Sequence, residues 1–121
     1  MKHLLYIFIG GGLGSVLRFL ISNHTQKLWN ISSFPMATFL VNMVGCLLIG
    51  IFSGYFLKYD SELKFLLIAG FCGGFTTFST FSAENISLWQ SGSYGILLVY
   101  VLLSVFVGLL AVYVGLNMVK N

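Results

Sequence analysis

Four apolar stretches, Leu4 to Ile21, Met36 to Leu57, Leu63 to Trp89 and Tyr94 to Val119, occupy almost the whole of a 121-residue chain. Each is long enough to cross a bilayer as a helix, which takes roughly 17–25 mostly apolar residues. Hydrophobic residues make up 58% of the chain and charged residues 7%, far from the balance of a soluble domain of this size. The sequence therefore predicts an all-α integral membrane protein, multi-pass, with residues 1–121 forming a single four-helix transmembrane domain. The connections Ser22–Pro35, Lys58–Glu62 and Gln90–Ser93 are too short for a soluble catalytic domain. An enzyme is not expected, and function has to sit between helices. One copy of four helices has too few walls for an aqueous path, so a homodimer is the minimal expectation.

Lys2 followed by an apolar run resembles the start of a signal peptide, but a small-residue cleavage pattern is missing and Arg18 interrupts the run. The first segment is read as a retained helix. Cys46 and Cys72 fall in separate spans without paired spacing, which points to neither a disulfide framework nor a zinc site. His3 and His24 have no acidic or thiol partner at ligand spacing and are read as surface residues. The net charge of +3 forms no basic run with interleaved aromatics, so nucleic acid is not an expected partner. With the N-terminus inside, Lys2, Lys58, Lys64 and Lys120 face the cytoplasm while Arg18 and Lys27 lie toward the other side. That bias is small enough to permit insertion in both orientations.

Within the third stretch the run Gly73-Gly74-Phe75-Thr76-Thr77-Phe78-Ser79-Thr80-Phe81 mixes glycines, hydroxyls and aromatics. Hydrocarbon cannot satisfy backbone freed by a Gly-rich break, so the segment must be buried in protein or line a wet path. The break is expected between residues 73 and 77, with carbonyls near Gly73 and Thr76 exposed. Half-helix C-terminal ends at membrane depth are cation sites, because they carry partial negative charge. At 100° per residue, Phe78 and Phe81 share a face while Ser79 and Thr80 point away from it. Phenyl edges carry partial positive charge and can meet a small anion; two core phenylalanines at helical spacing are the plainer reading.

Polar residues at helical spacing recur in the other spans. Thr38 and Asn42 stack one turn apart in the second, as do Tyr100 and Ser104 in the fourth. They either join helices or line a path. Arg18 near the end of the first span either snorkels to the interface or forms a vestibule charge. Glu84, the one carboxylate in a predicted span, either pairs with a hydroxyl or couples protons. Gly10/Gly14, Gly50/Gly54 and Ala111/Gly115 place small residues four apart, which serves close helix packing.

The chain resembles the Fluc-type (CrcB-like) fluoride channels over essentially its whole length. The resemblance rests on Gly11-Gly12-Leu13-Gly14-Ser15-Val16-Leu17-Arg18-Phe19, on Thr38-Phe39-Leu40-Val41-Asn42-Met43-Val44-Gly45, and above all on the Gly73 to Phe81 run. It implies an antiparallel, dual-topology homodimer in the cell inner membrane, with two pores and passive fluoride export that relieves toxicity. Under it, Phe78 and Phe81 form an aromatic box, Ser79 and Thr80 a hydroxyl track, and Asn42 an amide donor in the pore. Thr38 and Arg18 lie toward the vestibule, Tyr100 and Ser104 face the pore, and Gly73 and Thr76 carbonyls of both copies hold a structural sodium ion. The alternatives are a small proton-coupled multidrug or cation exporter, which would require Glu84 in an unusual place, and a non-transporting helper subunit.

Overall fold

The computed structural model describes residues 1–28 and 33–120, the side chain of Lys120 excepted. Helix α1 spans Lys2–Leu28, α2 Met36–Lys58 and α5 Tyr94–Lys120. Between α2 and α5 lies a composite element: a π-helical segment Phe65–Cys72 runs into the single turn α3, Gly73–Phe75, and then α4 covers Phe78–Gln90. Among the described residues, four elements are long and apolar enough to span a membrane: Lys2–Leu28, Met36–Lys58, Phe65–Gln90 and Tyr94–Val119. The chain is a multi-pass membrane protein.

Helix α1 ends later than the apolar pattern suggests, because Ser22–Leu28, expected in a loop, continues the helix. Its 27 residues make a rod of roughly 40 Å, longer than the ~30 Å hydrocarbon layer. The last two turns leave the apolar layer, so they carry Asn23, His24, Gln26 and Lys27 without breaking the helix. The rest of the expected loop falls partly on residues 29–32, outside the described residues. Pro35 precedes α2 as expected, its carbonyl accepting from Phe39 N at 3.2 Å.

The third span bends where two consecutive residues leave helical dihedrals: Thr76 at φ −84°, ψ 157° and Thr77 at φ −148°, ψ 118°. The break thus falls within residues 73–77, but Gly73 itself stays helical. Thr77 then caps α4, its Oγ1 accepting from Thr80 N at 3.2 Å. At its other end α4 closes through Gly92 in the left-handed region, φ 78°. Ser93 N reaches the Leu88 carbonyl and Gly92 N the Trp89 carbonyl, the pairing of a Schellman motif.

Glycines set the packing. A Cβ on Gly70 would lie 3.0 Å from Gly10 Cα, and one on Gly50 would lie 3.1 Å from Gly115 Cα. So α1 packs backbone to backbone on the π segment, and α2 does so on α5. Among the described residues, helix α4 packs mainly on α5. Large apolar side chains such as Phe8, Leu57 and Phe106 point outward, which suits a surface solvated by lipid. At one end, Lys64 Nζ bonds Asp60 Oδ1 at 3.0 Å, and this hydrogen bond and charge hold the Asp60 carboxyl below its ordinary value.

Candidate functional site

The bend in the third span opens a cavity of about 340 Å³ toward α2 and α5. Asn42, Cys46 and Ile49 line it from α2, at the i, i+4, i+7 spacing of one helix face. Thr76, Thr77, Phe78 and Phe81 form the wall at the break, and Ser104 faces them from α5.

Asn42 holds the break as a strand neighbour would. Its Nδ2 donates to the Thr77 carbonyl at 3.0 Å, and Thr77 N–H donates to its Oδ1 at 2.8 Å. Both backbone groups of an extended residue in the bilayer interior are thereby satisfied, as hydrocarbon demands. Asn Nδ2 carries two hydrogens, so one donor remains for the cavity. Thr76 turns back on the preceding turn, its N–H and Oγ1 both donating to the Cys72 carbonyl at 3.0 and 2.8 Å.

Phe78 and Phe81 stand side by side on α4, ring centroids 5.9 Å apart at 38°. Phe78 is 79% exposed, while Phe81 packs against the Tyr100 ring at 4.9 Å. Beyond Phe81 the polar groups converge on one carboxylate. Thr38 Oγ1 donates to Glu84 Oε2 and Tyr100 OH to Glu84 Oε1, each at 2.8 Å. Tyr100 is 0% and Thr38 4% exposed, so both donors of this three-helix triad are buried, and Glu84 itself is half-buried.

The structure brings Asn42, Thr76, Phe78, Phe81 and Ser104 around one cavity. It places Thr38 and Tyr100 on Glu84 instead, one ring away. Ser79 and Thr80 lie on the exposed side of α4, with the Ser79 hydroxyl 3.3 Å from that of Thr77. Arg18 Nε donates to the Gly74 carbonyl at 3.1 Å. Sequence reasoning missed Cys46, Met43 and Ile49 as cavity walls; the i, i+4, i+7 spacing of Cys46 and Ile49 from Asn42 carried the signal, and Met43, one residue on, gave none.

The donor set near the break fits a cation. In an unbroken helix Gly73 O would accept from Thr77 N–H, four residues on, but Asn42 has taken that donor. Among the described residues neither the Gly73 nor the Thr76 carbonyl accepts a hydrogen bond across the break. Hard monovalent cations take such oxygens at half-helix ends.

Residues 5–116 match the family model described as CrcB-like protein, Camphor Resistance (CrcB). The chain is 52% identical over 124 residues to the fluoride-specific ion channel FluC of Flavobacterium psychrophilum, covering 100% of this chain and 99% of that protein. It is 47% identical over 119 residues to the protein of the same name from Bacteroides fragilis, covering 95% and 94%. To that of Leptospira interrogans it is 42% identical over 123 residues, covering 99% and 96%. With a family model matched over nearly all of its length and relatives this similar end to end, the chain belongs to the CrcB-like family.

Proposed function

We propose that this chain is a passive, fluoride-selective channel of the bacterial inner membrane, which lets fluoride leave the cytoplasm and so relieves its toxicity. The relatives named fluoride-specific ion channels supply the ion. The observation that carries the reading on this chain is the cavity at the break, where an amide, hydroxyls and two phenyl rings converge. A small, strongly hydrated anion needs donors in place of its water, yet a fixed cation would trap it. The Asn42 amide, the Ser104 hydroxyl and the positive edges of Phe78 and Phe81 meet both conditions.

The working unit in this reading is an antiparallel, dual-topology homodimer with a pore on each side. The exposed ring of Phe78 and the exposed hydroxyls of Ser79 and Thr80 would complete a path against the second copy. A sodium ion held between the Gly73 and Thr76 carbonyls of both copies would keep the two bends rigid. Glu84 holds the hydroxyl protons of Thr38 and Tyr100, so an anion moving past Phe81 must draw one of them from the carboxylate to use it.

A proton-coupled exporter is not favoured, since both Glu84 oxygens already accept from buried hydroxyls and none lines the cavity. The test in cells is growth of a fluoride-sensitive bacterium that lacks its own exporter. Expression of this chain is expected to restore growth in fluoride medium, and Asn42→Asp is expected not to. Full rescue by Asn42→Asp at equal membrane abundance would remove the cavity from the export path.

A further inference from the structure

The bend in the third span leaves the Gly74 carbonyl without its helical donor. In a continuous helix it would accept from Phe78 N–H, four residues on. Because Thr76 and Thr77 are extended, Phe78 instead begins α4 on another axis. The vacant role is filled from α1: Arg18 Nε donates to Gly74 O at 3.1 Å, with Ser15 Oγ at 3.4 Å. The approach is possible because α1 presents Gly11 and Gly14 to this part of the third span. A Cβ on Gly74 would lie 3.0 Å from Gly11 Cα, and one on Gly14 would lie 2.9 Å from Phe75 N. The break is therefore gripped at two points, by Arg18 on the last turn before it and by Asn42 on Thr77 within it. Phe78 is the next residue.

We propose that Arg18 is a positioning residue for the anion path: its Nε–H stands in for the missing Phe78 N–H on the Gly74 carbonyl and fixes how Phe78 is presented to the cavity. What matters in this role is the placement of the Nε–H donor rather than the charge of the guanidinium that carries it, which distinguishes it from a vestibule cation that gathers anions. The proposal rests on the channel reading above and adds to it the residue that sets the geometry of the break.

Side-chain geometry separates the two roles. Gln places its amide nitrogen after three side-chain carbons, where Arg places Nε, and so keeps the donor without the charge. Lys keeps the charge, but its nitrogen lies one bond farther out. Met keeps neither. With each variant purified and reconstituted in liposomes, Arg18→Gln is expected to retain fluoride efflux within about threefold of the parent chain. Arg18→Lys and Arg18→Met are expected to be at least about tenfold slower and to leak chloride, the scale of one lost hydrogen bond expressed in a barrier. The reverse order, Arg18→Lys normal and Arg18→Gln slow, would overturn the proposal, as would three variants equal to the parent.

A second measurement needs no variant. Arg18 is the only arginine in the chain, so a 15Nε-arginine label is unique. Membranes holding protein labelled also with 13C′-glycine are expected to show strong 15N–13C dipolar dephasing at Arg18 Nε. Absence of dephasing would overturn the proposal. A parent chain that passes no fluoride would sink the channel reading, while the dephasing in the same preparation still decides whether Arg18 holds the break.

Discussion

Asn42→Asp exchanges one amide nitrogen for an oxygen and so separates holding the break from passing an anion. The carboxylate still accepts from Thr77 N–H, now 2.8 Å from Oδ1, but its second oxygen faces the Thr77 carbonyl oxygen acceptor to acceptor, where the amide donated at 3.0 Å. One lost hydrogen bond costs about 1 kcal/mol, and the unpaired carbonyl raises this to at most ~3 kcal/mol. The variant should therefore fold. A carboxylate ~4 Å from a passing anion, at an effective dielectric constant near 20, repels it by about 4 kcal/mol. At about 1.4 kcal/mol per decade, flux falls on the order of 10³-fold. Asn42→Leu does the opposite: it adds no charge but strands both Thr77 groups, at roughly 2–6 kcal/mol together. Thermal denaturation in detergent followed by size exclusion reads stability, and a fluoride electrode on liposomes reads flux. Asn42→Asp is expected to be stable and nearly silent, and Asn42→Leu to melt well below it. Normal flux through Asn42→Asp would remove Asn42 from the path, and an Asn42→Leu variant as stable as the parent would refute the grip on Thr77.

Phe78→Ile should slow fluoride efflux at least about tenfold, one decade being about 1.4 kcal/mol of barrier, with thermal stability unchanged because the ring is 79% exposed. The same exchange at Phe65, which stacks on His3 at 4.1 Å, should leave efflux intact, and equal effects on flux would make Phe78 a packing residue. Tyr100→Phe leaves Glu84 Oε1 without its hydroxyl donor, and a lower melting temperature corresponding to about 1.5–3 kcal/mol is expected; an unchanged one would place the Glu84 triad outside the folded core. Gly14→Ala drives a Cβ into the backbone at Phe71 and Phe75, whereas Gly12→Ala meets nothing within 4 Å. The first should destabilise by about 1–3 kcal/mol as overpacking does and the second should be silent in the same melting assay.

The four spans were legible because length and apolarity suffice to mark a membrane helix, and nothing else in this chain competes with them. Ser22–Leu28 was misread for a physical reason: a helix leaving the bilayer becomes polar without ceasing to be a helix, and no glycine or proline interrupts before Pro35. The break was legible as a region but not as a residue. Glycines suggested it, yet Gly73 keeps helical dihedrals and Gly74 serves close approach to Gly11. The two threonines extend because the side chain of Asn42, thirty-five residues away, pairs with Thr77.

The same distinction runs through the site. Spacing within one helix put Asn42 beside Thr38 and Ser104 beside Tyr100, and that much is local geometry. It did not say that Thr38 and Tyr100 would turn to Glu84 while Asn42 and Ser104 faced the cavity. That choice depends on where α4 stands relative to α2 and α5, a relation between helices that no single-helix pattern encodes. Cys46 is half-buried in the cavity wall because it lies one turn from Asn42.

The most direct test of the central claim is anion efflux from liposomes containing only this purified chain, with fluoride and chloride recorded side by side and no proton gradient imposed. The account predicts rapid loss of fluoride with chloride retained, unchanged when a pH gradient is added. Absence of fluoride efflux from a well-folded preparation, or efflux that runs only down a proton gradient and stops in Glu84→Gln, would contradict it.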